Sequence, residues 1–191
     1  SARPLRYLFI EITQRCNLDC LHCGSDCGRE TRLDELTTEE WLAFFGYLRA
    51  NLDTERLLLC VTGGEPFCAP RFDELLAGLA RNRLAWGMVT NGWLLDDANL
   101  KKVVDAGLSS LTLSLDGLQA SHDWLRGRPG SFERAVAGAR RTAAAGLPFF
   151  DVVTCVNPRN LDELPQLLEL LQGLGVKAWR LFNIFPKGRA K

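Results

Sequence analysis

The strongest constraint on the fold of this chain is a regular alternation of two residue patterns. Short aliphatic and β-branched runs at 5–13 (LRYLFIEIT), 56–62 (RLLLCVT), 84–90 (LAWGMVT), 110–116 (SLTLSLD), 148–156 (PFFDVVTCV) and 176–185 (VKAWRLFNIF) read as six strands. Segments with apolar residues at helical spacing lie between them. Thr37 and Glu40 form a capping box at the head of the run EEWLAFFGYLRANL, and further helices are expected over 71–82, 95–106, 131–146 and 161–173. Gly107 closes the helix at 95–106, and Ser131 is expected to cap the next one. Six strands separated by five short helices require parallel strands with right-handed crossovers, hence an α/β fold. The alternation admits either a barrel or a doubly wound sheet.

A length of 191 residues supports one core, so a single domain over 1–191 is expected. Lys plus Arg and Asp plus Glu both number 23, and this neutrality removes the electrostatic case for nucleic acid or an anionic membrane as partner. No apolar run approaches the ~18 residues of a membrane span, and the N-terminus lacks a signal-peptide core. A cytoplasmic location is therefore expected, where thiols stay reduced.

The redox setting bears on seven cysteines, four of them in RCNLDCLHCGSDCG (15–28) at C-x3-C-x2-C-x3-C spacing. An odd count without a pairing scheme argues against disulfides. Structural zinc takes four ligands, commonly from two C-x2-C knuckles, and here Cys20 and Cys23 have that spacing with no second knuckle downstream. Bacterial ferredoxin loops run C-x2-C-x2-C-x3-C, whereas the first gap here is three residues.

The unusual polar and glycine-rich clusters all follow a strand. The cysteines come after the first, GGEP (63–66) after the second, TNG (90–92) after the third, and Ser114 to Gly117 close the fourth. VNPRN (156–160) and FPKGR (185–189) close the last two. In a parallel barrel such positions share one mouth, where these folds bind ligands. Turn chemistry accounts for the glycines but not for Glu65, Ser114 or the thiols.

C-x3-C-x2-C is the ligand loop of the radical SAM enzymes, and the chain resembles that family from Tyr7 to about Gly188. The resemblance implies a partial (β/α)6 TIM-like barrel. It assigns Cys16, Cys20 and Cys23 to three irons of a 4Fe–4S cluster, the fourth iron being left to the amino and carboxylate groups of S-adenosylmethionine. His22 takes the family's aromatic position beside the adenine, and Gly63, Gly64 and Glu65 fall near the methionine amino group. Thr90 and Ser114 are expected to hold the carboxylate and ribose, with Asn157 as a further ribose or adenine contact. The surroundings of Asn157 depart from the family's G-x-I-x-G-x-x-E form, and backbone at 182–184 is expected to meet adenine. Cys27 is left outside the ligand set, Cys60 and Cys155 are read as core thiols, and Cys68 has no role.

The implied activity is reductive cleavage of S-adenosylmethionine to a 5′-deoxyadenosyl radical that abstracts a substrate hydrogen. CNLDCLHCGSDCG followed by SLDG and HDWLRG (122–127) resembles the SPASM-type branch, whose members mature ribosomal peptides or build cofactors. A peptide or small-molecule substrate is thus expected, with an electron donor such as flavodoxin or ferredoxin. HDWLRG reads equally as a polar loop with a helix cap. A C-terminal extension of the branch's kind is expected to be missing, leaving the barrel open beside strand six. The rival is a non-catalytic metal-binding module, either an iron–sulfur electron carrier or a zinc-stabilised scaffold. It needs only the cysteines and leaves GGEP, Thr90 and Ser114 unexplained.

Overall fold

In a computed structural model, which describes residues 5–30 and 34–191, each apolar run coincides with one strand, the fourth strand starting two residues ahead of its run. These are β1 (Tyr7–Glu11), β2 (Leu58–Thr62), β3 (Ala85–Thr90), β4 (Leu108–Ser114), β5 (Phe149–Val156) and β6 (Ala178–Asn183). They pair in chain order and all in parallel. Among the described residues β1 and β6 do not pair with each other, so the partial barrel is open along one seam, as expected.

The helices are α1 (Thr38–Asn51), α2 (Phe72–Arg81), α3 (Asp97–Asp105), α4 (Gln119–Arg126), α5 (Ser131–Ala144) and α6 (Leu164–Gly173). The capping box of α1 forms as read, Thr37 accepting from the Glu40 amide and Glu40 from the Thr37 amide. Two expectations are corrected. HDWLRG is not a loop but the second half of α4, a helix too short and polar to show an apolar stripe. Ser131 is the first helical residue of α5 rather than its cap, since Gly130 precedes it in a left-handed conformation that denies a side-chain cap. Asp123 of α4 takes over that work, accepting from the amides of Gly130 and Phe132 and the Ser131 hydroxyl, each at 2.8 Å.

Strand alternation divides the core. One face carries Ile10, Leu59, Val61, Trp86, Met88, Leu111, Leu113 and Val152, buried beneath Phe45, Leu48, Leu75, Leu79, Val103 and Leu167 of the helices. Ala135 and Ala139 let α5 lie close against the sheet. The other face looks into the barrel, where Tyr7, Phe9, Cys60, Val89, Thr112, Val153 and Phe182 line a cavity of about 390 Å³. Cys60 is thus half-buried on the inner wall rather than in the core proper. Below it Asp151, fully buried, pairs with Arg180 and accepts from the Thr112 hydroxyl at 2.6 Å.

Candidate active site

The segment after β1 makes a loop whose neck is tied by hydrogen bonds. The Cys16 amide donates to the Gly28 carbonyl at 2.6 Å and the Gly28 amide to Gln14 at 3.2 Å. The loop is seated by its neighbours. GGEP crosses directly beneath its start, the Gly64 amide reaching the Thr13 carbonyl at 2.7 Å and the Glu65 amide that of Arg15 at 2.9 Å. A side chain at either glycine would collide with this backbone, since a Cβ would sit 2.3 Å from the Thr13 oxygen or the Arg15 oxygen. The glycines therefore serve first to dock the cysteine loop.

Two further segments grip the loop. At the end of α4 the Leu125 carbonyl accepts from the Leu21 amide at 2.8 Å, and just beyond it Arg128 donates to the Asn17 carbonyl at 2.7 Å while stacking over Trp93. After β6, Arg189 donates through its side chain to the carbonyls of Cys20 (2.8 Å) and Cys27 (2.7 Å), and through its amide to Cys23 (3.0 Å).

These segments enclose a cavity of about 230 Å³ at the strand ends. Cys16, Cys20, Cys23, His22, Gly63, Gly64, Thr90 and Ser114 all line it, as does Cys27. Glu65 and Asn157 do not. Glu65 is fully buried, with its carboxylate accepting from the Thr90 hydroxyl (2.9 Å), the Asn91 amide (2.8 Å) and the Phe67 amide (3.4 Å). It ties the end of β3 to GGEP and offers no free oxygen to the cavity. Asn157 shapes the turn after β5, accepting from the Arg159 amide and donating to the Cys155 carbonyl. Cys155 is not a core thiol: its sulfur lies within 4.8 Å of ligand atoms of His22 and Asp116. Asn91, Arg126 and Arg189 also line the cavity and were not singled out by the sequence. TNG, HDWLRG and FPKGR held them, but no spacing rule marks an isolated Asn or Arg as a site residue.

The thiols are in unlike states. Burial pushes Cys16 up to about 12, whereas a hydrogen bond from Cys27 holds Cys23 down to about 5 and drives Cys27 itself upward. Burial and the Arg126 charge hold His22 at about 4, so its ring is neutral near pH 7.

Sulfurs around one tetrahedral zinc lie about 3.8 Å apart, given Zn–S bonds of ~2.3 Å. Among the described residues the one trio of ligand atoms within 4.8 Å is His22, Asp116 and Cys155, and no three loop thiols meet that limit. The four loop thiols share a cavity with unpartnered polar atoms at His22 Nδ1 and Arg126 Nε, a donor set that suits a thiolate-bound cluster with a polar ligand beside it.

Known proteins match nearly the whole chain. The chain is 35% identical over 185 residues to AdoMet-dependent heme synthase of Methanosarcina barkeri, spanning 96% of this chain and 52% of that protein. It is 29% identical to PqqA peptide cyclase of Granulibacter bethesdensis, over 96% of this chain and 48% of the relative. The chain thus spans about half the length of the curated relatives it matches. In fold it matches Streptococcus suis SuiB bound to S-adenosylmethionine, with a TM-score of 0.78, 16% identity and coverage of 95% of this chain and 41% of that one. It likewise matches native anSMEcpe with bound AdoMet, at 0.79 and 19%, covering 95% of this chain and 52% of that one. The model of the Radical SAM superfamily aligns with residues 10–171, from the strand before the cysteine loop to the last helix, and the chain belongs to that superfamily.

Proposed function

We propose that the cavity at the strand ends holds a 4Fe–4S cluster on Cys16, Cys20 and Cys23, with S-adenosylmethionine bound beside it. The observation that carries this reading is the placing of three separate strand-end motifs, GGEP, TNG and SLDG, around the same cavity as the thiols. When bound, the cluster and S-adenosylmethionine supply an electron and a 5′-deoxyadenosyl radical that removes a hydrogen atom from substrate. The chain's own share is binding, orientation and exclusion of water. Backbone acceptors at Gly63 and Gly64 face a ligand ammonium, while the Ser114 and Thr90 hydroxyls offer donors to a carboxylate or ribose. Glu65 acts one step back, holding the GGEP turn against Thr90 and Asn91. The neutral ring of His22 suits stacking on a base.

The substrate is a peptide or a cofactor precursor, since the relatives include a peptide cyclase and heme synthases. An external one-electron donor such as flavodoxin or ferredoxin completes the reaction. Anaerobic reconstitution, followed by iron and sulfide per chain and by 5′-deoxyadenosine released after reduction, tests the reading. Alanine at Cys16, Cys20 or Cys23 is expected to abolish cluster and product, and Cys27→Ala to retain the cluster. Loss of iron in the Cys27 variant would overturn the ligand set.

A further inference from the structure

A buried ion pair stands behind the cysteine loop with no part in the reading above. Arg126 ends α4 and is only 8% exposed. Its guanidinium divides its two ends: one terminal nitrogen lies 2.6 Å from the Asp116 carboxylate, the other 3.7 Å from the sulfur of Cys20. Asp116 is held from several sides. Its carboxylate also accepts from the Cys155 amide at 2.8 Å, its amide donates to His122 Nδ1 at 2.9 Å, and its carbonyl accepts from Asn160 at 2.6 Å. His122 and Asn160 are themselves fully buried.

Stability does not call for such a pair. Removing two charges from water costs about what their attraction returns, and an apolar pair of equal volume would serve the fold as well or better. The frame around Asp116 has a directional result instead: it aims a permanent cation at one sulfur. Only a planar fork reaches the carboxylate and the thiol together, which a lysine ammonium on a flexible stem does not.

We propose that Arg126 is a positioning residue that raises the reduction potential of the cluster through its N–H···S hydrogen bond to Cys20, and that Asp116 holds it in that direction. The proposal rests on Cys20 being a cluster ligand. Reduction adds one electron, whose charge spreads onto the ligand sulfurs. A donor and a positive charge at Cys20 stabilise the reduced form more than the oxidised one.

The test is a mediated redox titration, read by electron paramagnetic resonance, of the reconstituted protein without S-adenosylmethionine. Wild type is compared with Arg126→Lys and with the charge-neutral double variant Arg126→Gln/Asp116→Asn, which leaves no buried charge unpaired. The double variant is expected to hold wild-type iron and sulfide. Its reduction equilibrium should be about tenfold less favourable, a shift of 59 mV to more negative potential for a one-electron couple. Arg126→Lys is expected to recover only part of that shift. A wild-type potential in the double variant would overturn the proposal. So would failure of the double variant to assemble a cluster that wild type assembles, which would assign the pair to the fold. A wild-type chain that takes up no iron and sulfide would overturn the ligand reading itself.

Discussion

Glu65 lies wholly out of solvent, and burial pushes its carboxyl up to about 7 despite three facing donors. A raised carboxyl binds its proton more tightly in the folded chain than in the unfolded one. Stability linked to Glu65 is therefore greatest below its ordinary value of 4.5 and declines as pH rises toward about 7. The size is about 3 kcal/mol, from ~1.4 kcal/mol per unit. Urea unfolding of the metal-free protein between pH 4.5 and 8 is expected to show this decline, and Glu65→Gln to flatten it. Parallel curves for the two proteins would count against it. Motif order in the sequence was enough to bring Cys16, Cys20, Cys23, His22, Gly63, Gly64, Thr90 and Ser114 to one cavity. Glu65 sits behind that cavity and holds the segments that line it, a placement that the motif alone does not reveal. Motif order passed over Arg126 and Arg189 because their partners lie 106 and 169 residues away.

The strands were legible because β-branched runs bounded by glycine and polar residues carry their own period, and their ends shifted by only a few residues. The helix α4 was not, because QASHDWLR places just Leu125 among its buried apolar residues, the other inward positions being Ser121, His122 and Arg126. That element earns its place through contacts: its end seats the cysteine loop at Leu21, and its Asp123 caps α5. Asp123→Ala is expected to destabilise the protein by about 1–2 kcal/mol, as loss of a helix cap does. The measurement is the urea midpoint at pH 7. The hydrogen bonds to Asp123 outweigh its partial burial and hold its carboxyl below 3.8, so the contribution is present at neutral pH and lost on acidification through that range. An unchanged midpoint would mean that Gly130 alone starts the helix.

Alternation of strand and helix left barrel and doubly wound sheet equally open, because strand order depends on contacts between distant parts of the chain. The order β1 to β6 without reversal settles it, and it leaves a seam. Tyr7 and Phe9 of β1 are 62% and 66% exposed, and Leu181 and Phe182 of β6 are 50% and 45% exposed. Unpaired edges with apolar side chains favour association with a second chain. This 191-residue chain is expected to self-associate with rising concentration, and Leu181→Lys to oppose it, as read by sedimentation velocity. A monomer at every concentration would show that the edge is already protected.

Arg189 reaches over that seam and holds the cysteine loop at Cys20, Cys23 and Cys27. A ribosome delivers the thiols early and the arginine more than 160 residues later. At ~5–20 residues per second, the nascent chain spends on the order of ten seconds with its ligand loop made but not clasped. Contacts of such long sequence separation form late in folding, after the local β/α units. On the proposed ligand set, iron delivered during synthesis would meet a loose loop, and iron delivered afterwards a seated one. The clasp on the cysteine loop is thus completed only when the segment after β6 has been made.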